Sequence, residues 1–164
     1  MSDTSSQSAA TIDANEIWQR YLEREAARDA LFERLRPANQ TAIFDALASA
    51  GVVTLVVNFD GFGDSGQIEA MTATGAEGEI ALPETCIPYA SPGRDDGDDA
   101  IDQQPLTLAE AIETLCYDLL RQTHAGWENN DGAFGDFTFD VTARTISLDH
   151  NDRYTAIGSY AHQW

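Results

Sequence analysis

At 164 residues, with 43% hydrophobic side chains, the chain is long enough for one domain with a buried core and too apolar for global disorder. It carries 28 acidic residues against 9 basic ones, every basic one an Arg, for a net charge of −19. A field of that sign excludes direct nucleic-acid binding and anionic membrane surfaces, and favours basic partners or cations.

The N-terminal residues 1–11 are Ser/Thr-rich and expected to be disordered, and they lack the basic and apolar regions of a signal peptide. No apolar run approaches the roughly 20 residues needed to span a bilayer, so the expectation is a soluble, cytoplasmic protein. A helix is expected from Asp13, whose spacing to Glu16 suits a capping box, to Arg36, stopping before Pro37. Its apolar residues gather at the two ends, which fits an N-terminal helical arm over residues 12–36 that is anchored on its own domain through those ends, the favoured reading, or that binds a partner. Residues 37–164 then read as a single domain, and they hold 21 of the acids but only four of the nine Arg. That concentration costs stability through self-repulsion. Solubility or adaptation to high salt is the bland account of it, and a function for the charge is the sharper one.

The domain opens with a second helix over Gln40–Ala50, capped by Asn39 and closed by Gly51. Val52–Phe59 is apolar on both parities, as in an interior strand covered on both faces. A Gly/Asp turn over Asp60–Gly66 leads to a strand at Gln67–Thr74, and Glu79–Pro83 is expected to complete a meander. Residues 90–104, rich in Asp, Gly and Pro, read as an exposed acidic loop. Thr107 and Glu110 form a capping box ahead of Leu108, Ala111, Ile112, Leu115, Cys116 and Leu119, which share one helical face. Cys86 and Cys116 are too few for a metal framework, and Cys116 belongs to that apolar face. After a polar loop over Gly126–Gly135, strands are expected at Phe137–Val141, Thr145–His150 and Tyr154–Tyr160. The order ααβββαβββ predicts an α+β fold, an antiparallel sheet of about five to six strands with helices on one face.

Three chemistries compete for the two acidic loops. The string Gly63-Asp64-Ser65-Gly66 matches the nucleophile segment of trypsin-like proteases in letters only, because the chain is too short for two barrels and offers no triad. Asp60, Asp64, Glu128, Asn130 and Asp131 are hard oxygen ligands that suit Mg²⁺ or Ca²⁺ in a metal-dependent enzyme. Aligning Gly132 with the invariant glycine of an EF-hand, however, puts Trp127 at the first ligand position. Asp and Asn also populate such turns because they tolerate left-handed backbone. His124, beside the second loop, suits acid–base work or simply a helix C-terminus. The third reading makes the charge itself the function. Asp136 and Asp140 share a strand face, Glu69, Glu79 and Asp149 can join from neighbouring strands, and Glu110, Glu113 and Asp118 point off a helix. Such an array approaches the charge density of DNA and would fit the basic groove of a nucleic-acid-binding protein. Trp127 would anchor the loop or, if exposed, serve as a binding hot spot.

The paired segments FDGFGDSGQIE and GWENNDGAFGDFTFD, followed by RTISLDHNDRYTA, resemble a family of uncharacterised bacterial proteins with G-D-S-G-x-I-E and G-W-E-N-N-x-G motifs. The resemblance covers about residues 40–160. It implies a small accessory protein of plasmids and other mobile elements, and so an anti-restriction or anti-CRISPR role, but it identifies no catalytic residue. The leading expectation is therefore a non-enzymatic, cofactor-free DNA mimic that inhibits a basic nucleic-acid-binding protein or complex. The alternative is a Mg²⁺- or Ca²⁺-dependent enzyme built on the loops Asp60–Glu69 and Glu128–Asp136. A homodimer is allowed, although no heptad pattern specifies one.

Overall fold

The computed structural model describes residues 13–93 and 100–164, so the expectation for residues 1–11 lies outside the described residues. Helix α1 (Ala14–Ser49) opens at Asp13, whose carboxylate accepts from the Asn15 N–H at 3.1 Å. The expected stop before Pro37 is not observed. The helix runs through Pro37, so the arm and the second expected helix are one element. Pro37 cannot donate to the Glu33 carbonyl, a loss that normally breaks a helix. Packing overrides it: Phe32 before the proline and Ile43, Phe44 and Leu47 after it enter the same core, which holds both halves in line. Nor is Asn39 a cap. It is buried, donates through Nδ2 to the Ala90 carbonyl (2.7 Å) and accepts at Oδ1 from the Ala90 N–H (3.0 Å). The helix ends where expected, with Gly51 at φ +77° donating its N–H to the Ala48 carbonyl.

Strands β1 (Val52–Phe62), β2 (Ser65–Gly75) and β3 (Gly78–Ile80) form the expected meander. β4 (Cys86–Pro92) and β5 (Ile101–Thr107) pair as a separate two-stranded ribbon. Helix α2 (Leu108–Thr123) is followed by β6 (Ala133–Asp140) and β7 (Thr145–Asp152). The main sheet is antiparallel in the order β3-β2-β1-β6-β7, so the strand apolar on both parities lies at its centre, but it is covered on one face only, with Val53 exposed and Val56 half-exposed. The fold is α+β, as the sequence predicts.

Leu55, Val57 and Phe59 on β1, with Phe137 and Phe139 on β6, point to one side and pack under α1, α2 and the ribbon. α2 has the predicted capping box and buries Leu108, Ala111, Ile112, Leu115, Cys116 and Leu120. Two expectations are corrected. The acidic loop of residues 90–104 is in part hairpin: Ala90 pairs with Gln103 and Pro92 with Ile101, while residues 94–99 lie outside the described residues. Ile87 and Tyr89, just before the stretch on β4, alternate inward and bury, and β5 is held by pairing to that anchored strand. Tyr154–Tyr160 is not a strand: beyond Asp152 the chain leaves the sheet with Tyr154, Ile157 and Tyr160 exposed. No helix among the described residues is long and apolar enough to cross a membrane.

Candidate functional site

The two acidic loops meet at one end of the sheet. Gly63 and Asp64 join β1 to β2 with φ of +59° and +64°, the two left-handed residues of a type I′ hairpin turn. Their N–H groups donate to the Asn130 and Glu128 carbonyls at 2.8 and 3.0 Å. In return, the Asp64 carboxylate accepts from the Asn130 N–H at 3.2 Å. Trp127 lies flat against glycine backbone. A Cβ on Gly66 would stand 2.3 Å from the indole, and one on Gly61 2.7 Å, so only glycine admits the ring. The same indole meets Phe59 edge-on at 5.4 Å. Trp127 is therefore the loop anchor, half-buried between sheet and loop.

Arg153 closes this junction. Its guanidinium makes a bidentate pair with Asp60 (2.9 and 3.0 Å), donates to the Gly61 and Ala133 carbonyls and lies 4.6 Å from the centre of the Phe134 ring. Among the metal candidates, then, Asp60 is held by a resident cation and Asp64 by the turn. Asn130, at φ +55°, serves through its backbone, and Asp131 is exposed beside Arg153 at a shallow cleft. The Oε2 atom of Glu128 is buried without a hydrogen-bond partner. Among the described residues, no three His, Cys, Asp or Glu side chains gather as ligands for an ion. His124 is the C-cap of α2 and stacks face to face on His150 at 3.6 Å. His150 lacks an evident partner in the sequence, yet its ring is buried beside Phe59 and its Nε2 sits 3.0 Å from Asp152.

The other face of the sheet carries no helix. It presents Thr54, Val56, Asn58 and Asp60 on β1, flanked by Asp136, Thr138 and Asp140 on β6 and Ser147 and Asp149 on β7. Asp136 and Asp149 are register partners, directly opposite each other. Asp136 accepts from the Asn58 amide on its far side, and Asp149 from Asn151. Glu79, paired with Thr74, adds a carboxylate at the β3 edge, and Glu69 sits at the bulge in β2, accepting from Gln67. Across this face Arg153 is the one cation among the described residues, and it is paired to Asp60. Five of the nine Arg lie on α1 beside six acids, so that helix is nearly balanced, whereas the sheet and its loops (residues 52–80 and 124–153) hold eleven acids and two Arg.

The helical acids do not join this array, because α2 covers the opposite face. Glu110 is spent on the capping box. The Thr107 N–H and hydroxyl hold its carboxyl below the usual range. Asp118 is half-buried against α1, and burial pushes its carboxyl up despite Arg121 and Arg28 beside it. Glu113 is half-buried on the same helix. Arg153, Asn58 and the two glycines under Trp127 are the site residues that sequence reasoning missed. A lone Arg within LDHNDRY, among acids, was the available signal for the first.

Fold and site together define a small α+β protein with two interlocked loops at one end of an open, acidic sheet. The chain belongs to a family of unknown function (DUF6878), whose model matches residues 35–164. No curated protein and no solved structure matches it.

Proposed function

We propose that the protein binds a basic, nucleic-acid-binding partner through the open face of its sheet and blocks it as a DNA mimic. The observation that carries this reading is the facing pair Asp136 and Asp149. Like charges directly opposite on neighbouring strands destabilise a sheet, and this pair has no described cation between them. A solvated face needs no such pair, since Thr138 opposite Ser147 one row away would serve equally well. A basic groove desolvated over the face would turn the repulsion into attraction, as it does over the phosphates of DNA. The resemblance to proteins of bacterial mobile elements points to a restriction or CRISPR complex as the target, met in the cytoplasm.

The test is expression of the protein in cells carrying an active restriction or CRISPR system, scored by establishment of a targeted plasmid. The wild type should raise establishment by about tenfold or more. A variant with Asp136→Asn, Asp140→Asn and Asp149→Asn should lose most of that gain while staying folded. Contact with the purified effector should compete with duplex DNA and weaken steeply between about 50 and 500 mM salt. Protection by the triple variant equal to wild type, or binding indifferent to salt, would remove the acidic face from the mechanism.

A further inference from the structure

We infer that the basic groove met by the open face carries aromatic side chains at one end, and that Phe62, Phe134 and Tyr154 dock there as unpaired bases would. This rests on the open-face reading above and adds to it the chemistry of the partner. Phe62 continues the row of Asn58 and Asp60 on β1, since residues two apart share a strand face, and Phe134 on β6 stands directly opposite Asp60. Tyr154, two residues beyond the end of β7, lines one shallow cleft together with Phe62. The three rings are 70%, 42% and 86% exposed, so Phe62 and Tyr154 spend little of their apolar surface on the fold. Single exposed apolar residues are ordinary. Three aromatic ones at one corner, on the order of 400 Å² of ring surface, form a patch of the size that is often functional.

The carboxylates around these rings select the occupant. Asp131 is exposed in the same cleft, and Asp136 follows Phe134 on the same face of β6. A second copy would bring the same carboxylates against these, and an anionic membrane is repelled in the same way. A neutral apolar surface would desolvate the carboxylates without a counter-charge. A surface that offers cations and aromatic rings side by side satisfies both groups. Proteins that hold unpaired nucleotides are built in this way: Arg and Lys track the backbone while aromatic side chains stack on the bases. Here Asp136, Asp140 and Asp149 stand where phosphates would lie, and the rings stand at the end as bases would. Arg153, 4.6 Å from the centre of the Phe134 ring, already makes one guanidinium–ring contact of the kind that a partner's Arg would repeat on Phe62 and Tyr154.

Calorimetric titration of the full chain tests this with two synthetic peptides of equal length and charge, one alternating Arg with Trp and the other Arg with Ala, at about 50 and 150 mM NaCl. The Arg–Trp peptide should bind at least about tenfold tighter than the Arg–Ala peptide at both salts, while both affinities fall as salt rises. Phe62→Ser with Tyr154→Ser should remove most of that preference, and because both sites are exposed this variant should melt with the wild type. Phe134→Ser, a second probe of the patch, should lower the preference in part. The variant with Asp136→Asn, Asp140→Asn and Asp149→Asn should weaken both peptides and leave their ratio. Equal affinity for the two peptides, or a preference that survives Phe62→Ser with Tyr154→Ser, would overturn this inference and leave the acidic face standing. A wild type that binds neither peptide, or a triple variant that binds both like the wild type, would remove the acidic face itself and this inference with it.

Discussion

Asp64 carries three structural loads in one residue: a left-handed backbone, a hairpin turn, and the carboxylate that holds Asn130. Asp64→Ala loses the hydrogen bond and puts a Cβ residue without local polar compensation at φ +64°, costs of about 1 kcal/mol each or slightly more. We expect its unfolding free energy in urea to fall by about 1–3 kcal/mol, with Asp64→Asn close to wild type. The gap should persist in excess chelator, because what Asp64 gives the turn is an accepting side-chain oxygen for the Asn130 N–H, which Asn also offers. A gap that closes on chelation would show instead that the residue's contribution is metal-borne. The general point is visible in the sequence, since Gly-Asp and Asn-Asp-Gly strings announce turns. That the turns grip each other is not visible there, because the contacts run between residues some 66 positions apart. Asn39 shows the same limit. Local rules make it a cap, and only Ala90, 51 residues on, makes it a brace.

At the level of elements, legibility follows how local the stabilising forces are. α2 can be read from its capping box and its apolar spacing, both written within Thr107–Thr123, except at its end, where Leu120 rather than Leu119 is buried and Asp118 turns toward α1. β1 can be placed at the centre from its apolar run, but its expected cover on both faces is not found: Val56 stands half-exposed on the open face and Val53 is exposed. α1 is misread at Pro37, where a strong local rule meets a stronger tertiary one. Proline in a helix interior is about 3 kcal/mol less favourable than alanine, yet core residues on both sides keep the helix whole. Pro37→Ala should therefore raise stability, by about 1–3 kcal/mol once the greater freedom of the unfolded variant is subtracted. Thermal unfolding measures it. A lower melting temperature would mean that the proline ring fixes a helix direction on which the Asn39–Ala90 brace depends. The ribbon of β4 and β5 escapes sequence reading for a related reason: its inward residues, Ile87 and Tyr89, are separated by Pro88 and followed by Pro92, and prolines argue against a strand.

At the scale of the whole molecule, α1 is nearly balanced, with five Arg and six acids, and the acid excess runs through the rest of the chain, net −9 on the sheet and its loops and net −7 over residues 81–123. The ion pairs present, such as Arg121 with Asp29 at 2.7 Å and Arg144 with Asp45 at 2.6 Å, tie elements together locally but neutralise few of the 28 acids. These pairs are largely exposed and contribute little each, whereas a net charge of −19 acts on every part of the fold at once. Salt screens both, so the sign of its effect reports which is larger. If the acid excess is held against stability for the sake of a partner, screening must relieve the folded state more than it weakens the pairs. Melting temperature should then rise by about 2–8 °C between about 20 and 500 mM NaCl, equivalent to about 1–2 kcal/mol. The variant lacking the Asp136, Asp140 and Asp149 charges should start higher and rise less, because part of the repulsion has already gone. A melting temperature that falls with salt would place the ion pairs ahead of the field. The facing aspartates would then cost the fold too little to need a basic partner as their explanation.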